Sequence, residues 1–331
     1  TMPELEIITF DEALRLTEGA ERSLLTGNGF SINYFNYSDL MDAAGIEEGM
    51  SIKALFDVLN TVDFETVMKS LQDAVVVATA YDDADQAEKY ENEKNAVRQS
   101  LVRAIHASHP AHRSDIGFHF NNCIDFLKYF SNRFTLNYDL LLYWAQLDDT
   151  GVFNDGFGLD REERRNFVGP FAENAHCNTY NIHGGLHLFK NDDGTVSKRV
   201  RGANGMIEAI ADMITRGKRL PLYVAEGTSR QKLGKIYSVE YLTHCYERLC
   251  ESEGPFFIYG HSAHPNDEHI YKAIFKSNVS HLYFCIHQPS ANVQEISGEL
   301  ARFKEKYGSN IEYTFVCSES ANVWGRIQGE E

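Results

Sequence analysis

Apolar residues recur along this chain with two different periods, and the change of period divides it. From Tyr37 to about Phe130 the spacing is helical. Ile52, Leu55, Phe56, Leu59 and Val62 form one set, Val97, Leu101, Val102 and Ile105 a second, and Ile124, Phe126, Leu127 and Phe130 a third. Beyond residue 200 the pattern alternates: helix 205–217, strand 221–225, helix 238–251, strand 255–259, helix 267–275, strand 281–286, helix 291–306 and strand 311–316. Such alternation predicts a parallel sheet covered by helices on both faces. Earlier, residues 10–20 read as an amphipathic helix, and 22–26, 134–136 and 178–182 read as strands. The expected architecture is a single α/β domain over 1–331, a three-layer Rossmann-like parallel sheet. A helical insertion at 38–130 lies between its first two core strands and roofs the ligand cleft. At about ninety residues, that block exceeds any ordinary βα connection. The stretch 148–178, rich in Gly, Asn and charge, is expected to be a lid loop.

Charge narrows the partners. The formal net charge is −17, and a phosphate-backbone surface needs clustered Lys and Arg, so nucleic acid is not an expected partner. Asp82, Asp83, Asp85, Glu88, Glu91 and Glu93 are expected on a solvated helix face. The six cysteines form no CxxC pair, which signals neither a zinc ribbon nor a disulfide framework. Cys285 and Cys317 fall in strand-like runs and are expected to be buried and reduced. Nothing reads as a secretory signal or a membrane span, so the expected compartment is the cytoplasm.

The candidate chemistry sits where the strands run out. Gly27-Asn28-Gly29-Phe30-Ser31, Thr135-Leu136-Asn137-Tyr138-Asp139, His183-Gly184-Gly185 and Gly260-His261-Ser262 each follow a strand. Alone, each has an ordinary explanation: a tight turn, or a helix cap by Asn137 or Asp139. In a doubly wound sheet the four would share one edge and could converge on a single ligand. Paired glycines let backbone approach a pyrophosphate closely, and His is the side chain suited to proton transfer near neutrality. No metal is expected. His106, His109, His112 and His119 surround Pro110 and Gly117 and are read as solvated. In the set His176, Cys177, His183 and His187, positions 183 and 187 lie too far apart along a strand for one ion.

Taken together, these segments resemble the sirtuin-like NAD-binding superfamily. Gly27 to Ser31 is similar to that family's GAGxS loop, Thr135 to Asp139 to its T-x-N-x-D motif, His183-Gly184 to its HG pair, and Gly260 to Ser262 to its GxS loop. The sirtuin-like NADases of bacterial defence systems are closer still, and the chain also looks like a bacterial domain family of unknown function within this fold. The resemblance implies a sirtuin-type sheet and an NAD+ glycohydrolase that releases nicotinamide and ADP-ribose, acting as a defence effector. Catalysis would then fall to Asn137, which orients water or the ribose, to His183 as base and to Asp139. NAD or an ADP-ribose-type nucleotide would be held by Gly27, Asn28, Gly29, Phe30, Ser31, Thr135, Gly184, Gly260, His261, Ser262 and Asp267. A homo-oligomer or a protein trigger would be compatible, and a membrane would not. Burial would lower the His183 pKa and Asp139 would raise it, leaving it near or slightly above roughly 6.5. Two departures stand out. The four-cysteine zinc module of the deacylases has no counterpart, which disfavours deacylation. Ile32-Asn33-Tyr34-Phe35-Asn36-Tyr37 replaces GIPDFR, which keeps open a non-catalytic NAD or ADP-ribose sensor or a scaffold.

Overall fold

The computed structural model describes residues 5–35, 40–47, 49–148, 151–157, 177–199, 205–224 and 227–325. Most of the 148–178 stretch, His176 among it, therefore lies outside the described residues. In chain order the elements begin with β1 (Ile7–Ile8), α1 (Phe10–Leu16) and β2 (Ser23–Thr26). A helical stretch follows: α2 (Leu40–Ala43), α3 (Ser51–Val58), α4 (Phe64–Ala80), α5 (Ala84–Ser108) and α6 (His119–Leu127). Next come β3 (Asn132–Thr135), α7 (Leu141–Gln146), β4 (Thr179–Asn181), β5 (Gly184–Gly185), β6 (Leu188–Lys190), β7 (Val196–Lys198), α8 (Met206–Thr215) and β8 (Leu222–Tyr223). The last part holds α9 (Ser229–Tyr237), α10 (Glu240–Cys250), β9 (Glu253–Tyr259), α11 (Glu268–Phe275), β10 (Asn278–Ile286), α12 (Pro289–Lys306) and β11 (Tyr313–Cys317).

Seven strands form one all-parallel sheet in the order β1-β11-β10-β9-β2-β3-β4. Successive side chains of a strand point to opposite faces, and both faces here are buried. Leu24, Phe257 and Tyr283 belong to one apolar core, while Leu25, Phe256, Ile258, Leu282 and Phe284 belong to the other. The first core takes its cover from α1 and the helices between β2 and β3, the second from α9 to α12. The result is a three-layer, Rossmann-like α/β fold. Among the described residues, no helix is long and apolar enough to cross a membrane.

The helices between β2 and β3 are tied to the sheet by Arg133 on β3. Its guanidinium donates to the Leu127 and Phe130 carbonyls at the end of α6, at 2.9 and 2.5 Å, and lies over the Phe153 ring. Leu127 is the last residue of α6, and its carbonyl, which also accepts the Phe130 N–H, is among those that a helix end leaves without an i+4 partner. The block covers a sheet face and does not roof the ligand cleft, whose described lining takes nothing from residues 40–131.

Four further expectations change. The described part of the apolar run, 221–224, does not join the parallel sheet: β8 pairs antiparallel with β5, and the absence of a side chain at Gly184 leaves room for its backbone. The stretch before 238 holds a helix, α9, capped reciprocally by Thr228 and Gln231. His109 is buried rather than solvated, packed between Phe35 and Trp144. Cys317 is only half-buried, since β11 ends there.

Candidate functional site

From β2 the chain builds outward through β3 and β4 on one side, then returns to place β9, β10 and β11 on the other. The topology switches between β2 and β9, and the crevice beyond such a switch is where open α/β sheets bind ligands. Here the loops that follow β2 and β9 interlock. Gly27 N–H donates to the Tyr259 carbonyl (2.9 Å) and Gly29 N–H to the Gly260 carbonyl (2.8 Å). A Cβ on Gly27 would lie 2.6 Å from the Gly260 oxygen, and one on Gly29 would lie 2.7 Å from the Gly260 Cα. Gly260 itself has φ +73°, and its Cβ would lie 2.5 Å from the Phe30 nitrogen. The close backbone approach expected of these glycines is present, and its partner is the other loop.

Beneath this floor lies a second layer of predicted residues. Asn137 donates through Nδ2 to the Gly27 carbonyl (2.8 Å) and to Ser31 Oγ (3.2 Å), while its N–H is received by Thr135 Oγ1 (3.0 Å). Its buried Oδ1 has no hydrogen-bond partner among the described residues. Phe30 packs on Trp324, whose indole N–H donates to the Phe30 carbonyl. Phe30, Ser31, Thr135 and Asn137 thus support the loop without lining the cleft, whereas Gly27, Asn28 and Gly29 do line it. Asp139 stands apart from His183. Its Oδ1 accepts the Leu141 N–H (2.8 Å) at the start of α7, and its charge acts on His109.

The carboxylate that faces His183 is Asp267. His183 follows β4, with its carbonyl receiving the Val224 N–H and Gly184 turning the chain at φ +74°. Its Nε2 lies 3.0 Å from Nε2 of His269, and His269 Nδ1 lies 2.8 Å from Ser229 Oγ at the start of α9. Asp267 sits between Lys232 Nζ (2.9 Å) and His261 Nε2 (2.9 Å). Ala263 N–H donates to His261 Nδ1, which fixes the His261 proton on Nε2, donated to Asp267.

Burial pushes the His183 pKa well below its ordinary value. Asp267 opposes this less strongly, and His269, Lys232 and His261 reinforce it. That outcome replaces the near-ordinary value expected from Asp139. His269 falls to about 4, again through burial first. Burial alone would raise the Asp267 pKa, but the His261 hydrogen bond, with His183 and Lys232 nearby, holds it well below the carboxylate range. At neutral pH the cluster is a pair of neutral imidazoles beside an Asp267–Lys232 ion pair.

His183, Asp267 and His269 each offer a metal-ligand atom, all within 4.8 Å of one another. Both Asp267 oxygens are already engaged, and the Lys232 ammonium beside them opposes a cation. The donor set therefore fits a metal poorly. His187, weighed earlier as a ligand, is buried elsewhere, stacked on Tyr143 at 4.7 Å, with its pKa pushed down to about 3 by burial and Lys198.

A cleft of about 890 Å³ joins these parts. Its wall includes His183, Gly260, His261, Ser262, Asp267 and Lys232, and it continues past the ends of β10 and β11 to His287, Asn292 and Glu295. Gly184 serves β8 instead: a Cβ there would overlap the Leu222 carbonyl. Sequence reasoning missed Ser229, Lys232 and His269. The Thr228–Gln231 capping pair marks the helix that carries the first two, and His269 lies two residues beyond Asp267.

No curated protein matches this chain. A family model described as a domain of unknown function (DUF4917) matches residues 24–324, from within β2 to beyond β11. With nearly its whole length matched, the chain belongs to the DUF4917 family.

Proposed function

We propose that this protein is a sirtuin-like NAD+ glycohydrolase. The observation that carries the reading is the cleft at the β2/β9 switch point, with a buried, neutral His183 in its wall and glycine loops on its floor. Its volume suits a large ligand, and pockets for small molecules commonly span roughly 300–1,000 Å³. The nicotinamide of NAD+ is a cationic leaving group that departs neutral, so no general acid is required. The protein must instead tolerate positive charge at C1′ of the ribose and receive a proton from water. As the C1′–N bond breaks, the water oxygen bonds to C1′. A water proton passes to His183, and ADP-ribose and nicotinamide leave. The ionised Asp267 supplies negative potential beside that centre, tempered by Lys232. Asn137 serves as a positioning residue, holding Gly27 and Ser31.

Purified protein incubated with millimolar NAD+ should release nicotinamide, as seen by chromatography, and His183→Ala should not. Equal release by that variant would overturn the assignment. A second reading, a non-catalytic NAD or ADP-ribose binding module, is favoured by the engagement of the Asn137 amide under the loop. Calorimetry showing ADP-ribose binding, with no nicotinamide released, would select it.

A further inference from the structure

His269 is buried beside His183, yet it does not line the cleft. A hydrogen bond between two imidazole nitrogens holds one proton, so one ring donates and the other accepts. His183 Nε2 is committed to His269, which leaves Nδ1 as the nitrogen it can turn to a ligand. Ser229 Oγ already accepts the His269 backbone N–H (2.7 Å) and lies 2.8 Å from its Nδ1, placed to accept a second proton. With protons on His269 Nδ1 and His183 Nε2, the row runs in one direction from the cleft to Ser229.

We propose that His183 and His269 form one proton-accepting unit, in which a proton taken by His183 Nδ1 displaces the Nε2 proton onto His269 Nε2. This rests on the reading of His183 as the base. One N–H bond forms at each ring and one breaks at His183, leaving His183 neutral and His269 as the imidazolium. Nothing else is consumed. The charge then resides one ring further from C1′, where positive charge develops. Several groups face it there. Asp267 and His261 come from the loop after β9, Lys232 and Ser229 from α9, and the Tyr246 ring from α10 lies 6.3 Å away. Asp267 is the anion among them, and it offsets the imidazolium. Two strongly interacting sites titrate as a pair. His269 is accordingly a positioning residue that acts through His183.

The test uses the full chain and two variants. His269→Gln keeps a side-chain acceptor for the His183 Nε2 proton but cannot take that proton on, and His269→Ala removes both. We expect both to lose 10- to 100-fold in kcat for nicotinamide release, with KM for NAD+ within twofold and the acidic limb displaced to lower pH. Recovery of the wild-type rate and limb by His269→Gln would show a purely structural role and overturn the proposal. The second arm needs no turnover: imidazole resonances of histidine-labelled protein are followed against pH. A common apparent pKa for His183 and His269, with that of His183 shifted in His269→Gln, supports the unit. Independent titration of the two rings overturns it. A chain that releases no nicotinamide yet shows the coupled titration would sink the glycohydrolase reading and leave the pair standing.

Discussion

His109 and His183 are each 5% exposed, and each lies near the carboxyl edge of the sheet, yet they are held in opposite ways. His109 donates from Nδ1 to the Pro110 carbonyl (2.9 Å) and accepts the Leu140 N–H at Nε2 (3.0 Å), with Asp139 capping the next residue but one. Both its nitrogens are spent on backbone, at the point where β3 passes to α7. His183 has no such anchor for Nε2, which meets another imidazole, and Asp267, Lys232 and His261 gather around the pair. Burial and a lowered pKa are common to both rings. What separates a structural histidine from a candidate for chemistry is the partner. Backbone partners cannot change protonation state, whereas side-chain partners can.

The sharpest test of that contrast is paired truncation. His183→Ala should lower nicotinamide release by about 10²–10⁴-fold, the range of general acid–base effects. His109→Ala should act on stability instead: it costs about 2–3 kcal/mol in a urea melt, from a cavity and an unpaired Leu140 N–H, with the pH profile of release unmoved. If His109→Ala moved that profile, the contrast would fail. Between these two in size lies Gly260→Ala. A left-handed backbone and a 2.5 Å approach to the Phe30 nitrogen should together cost about 3 kcal/mol, read from the melting temperature.

A smaller effect follows from pH. His109, His183, His187 and His269 all have lowered folded-state values, so below about 6.5 the unfolded chain binds protons that the folded chain refuses. Their contribution is intact above about 6.5 and is lost as pH falls toward the folded values, about 4 for His269 and about 3 for His187. Each independent ring can contribute a slope of up to about 1.4 kcal/mol per pH unit. Urea midpoints at pH 5.5 should lie below those at pH 7.5, and His187→Phe, which retains an aromatic ring against Tyr143, should flatten the difference. An unchanged difference would mean that His187 titrates normally. Smallest of all is Asp139→Asn. Asn keeps an acceptor for Leu141 N–H, so the loss should stay under about 1 kcal/mol, and the acidic limb should not move, because the carboxylate beside His183 is Asp267.

The alternation after residue 200 and the polar strand ends were legible because period and punctuation are local. The sequence could not tell which residue of each strand-end stretch faces the cleft. Past the last ladder bond the two-residue period lapses, and turn dihedrals decide, so Asn28 lines the cleft while Ser31 and Asn137 lie beneath it. The α9 helix escaped notice because Leu233 and Ile236 are its only aliphatic anchors, too few to show a period. The partner of β8 was invisible for another reason: Leu222 and Tyr223 read as any apolar pair, and their antiparallel mate is two glycines that carry no strand signal. His109 was misread because its burial comes from Phe35 and Trp144, remote in sequence.

The three glycines at the switch point have an implication for engineering. Each loop fills the volume that any side chain on the other would need, so neither can be grafted alone onto a different sheet. A transplanted Gly27–Ser31 segment would arrive without its counterpart, and Gly260 without the backbone that its left-handed turn accommodates. A chimera must carry both loops, and with them the adjacency of β2 and β9. Specificity, by contrast, can be redesigned from the α12 side of the cleft, where Glu295 supplies a side chain to the lining.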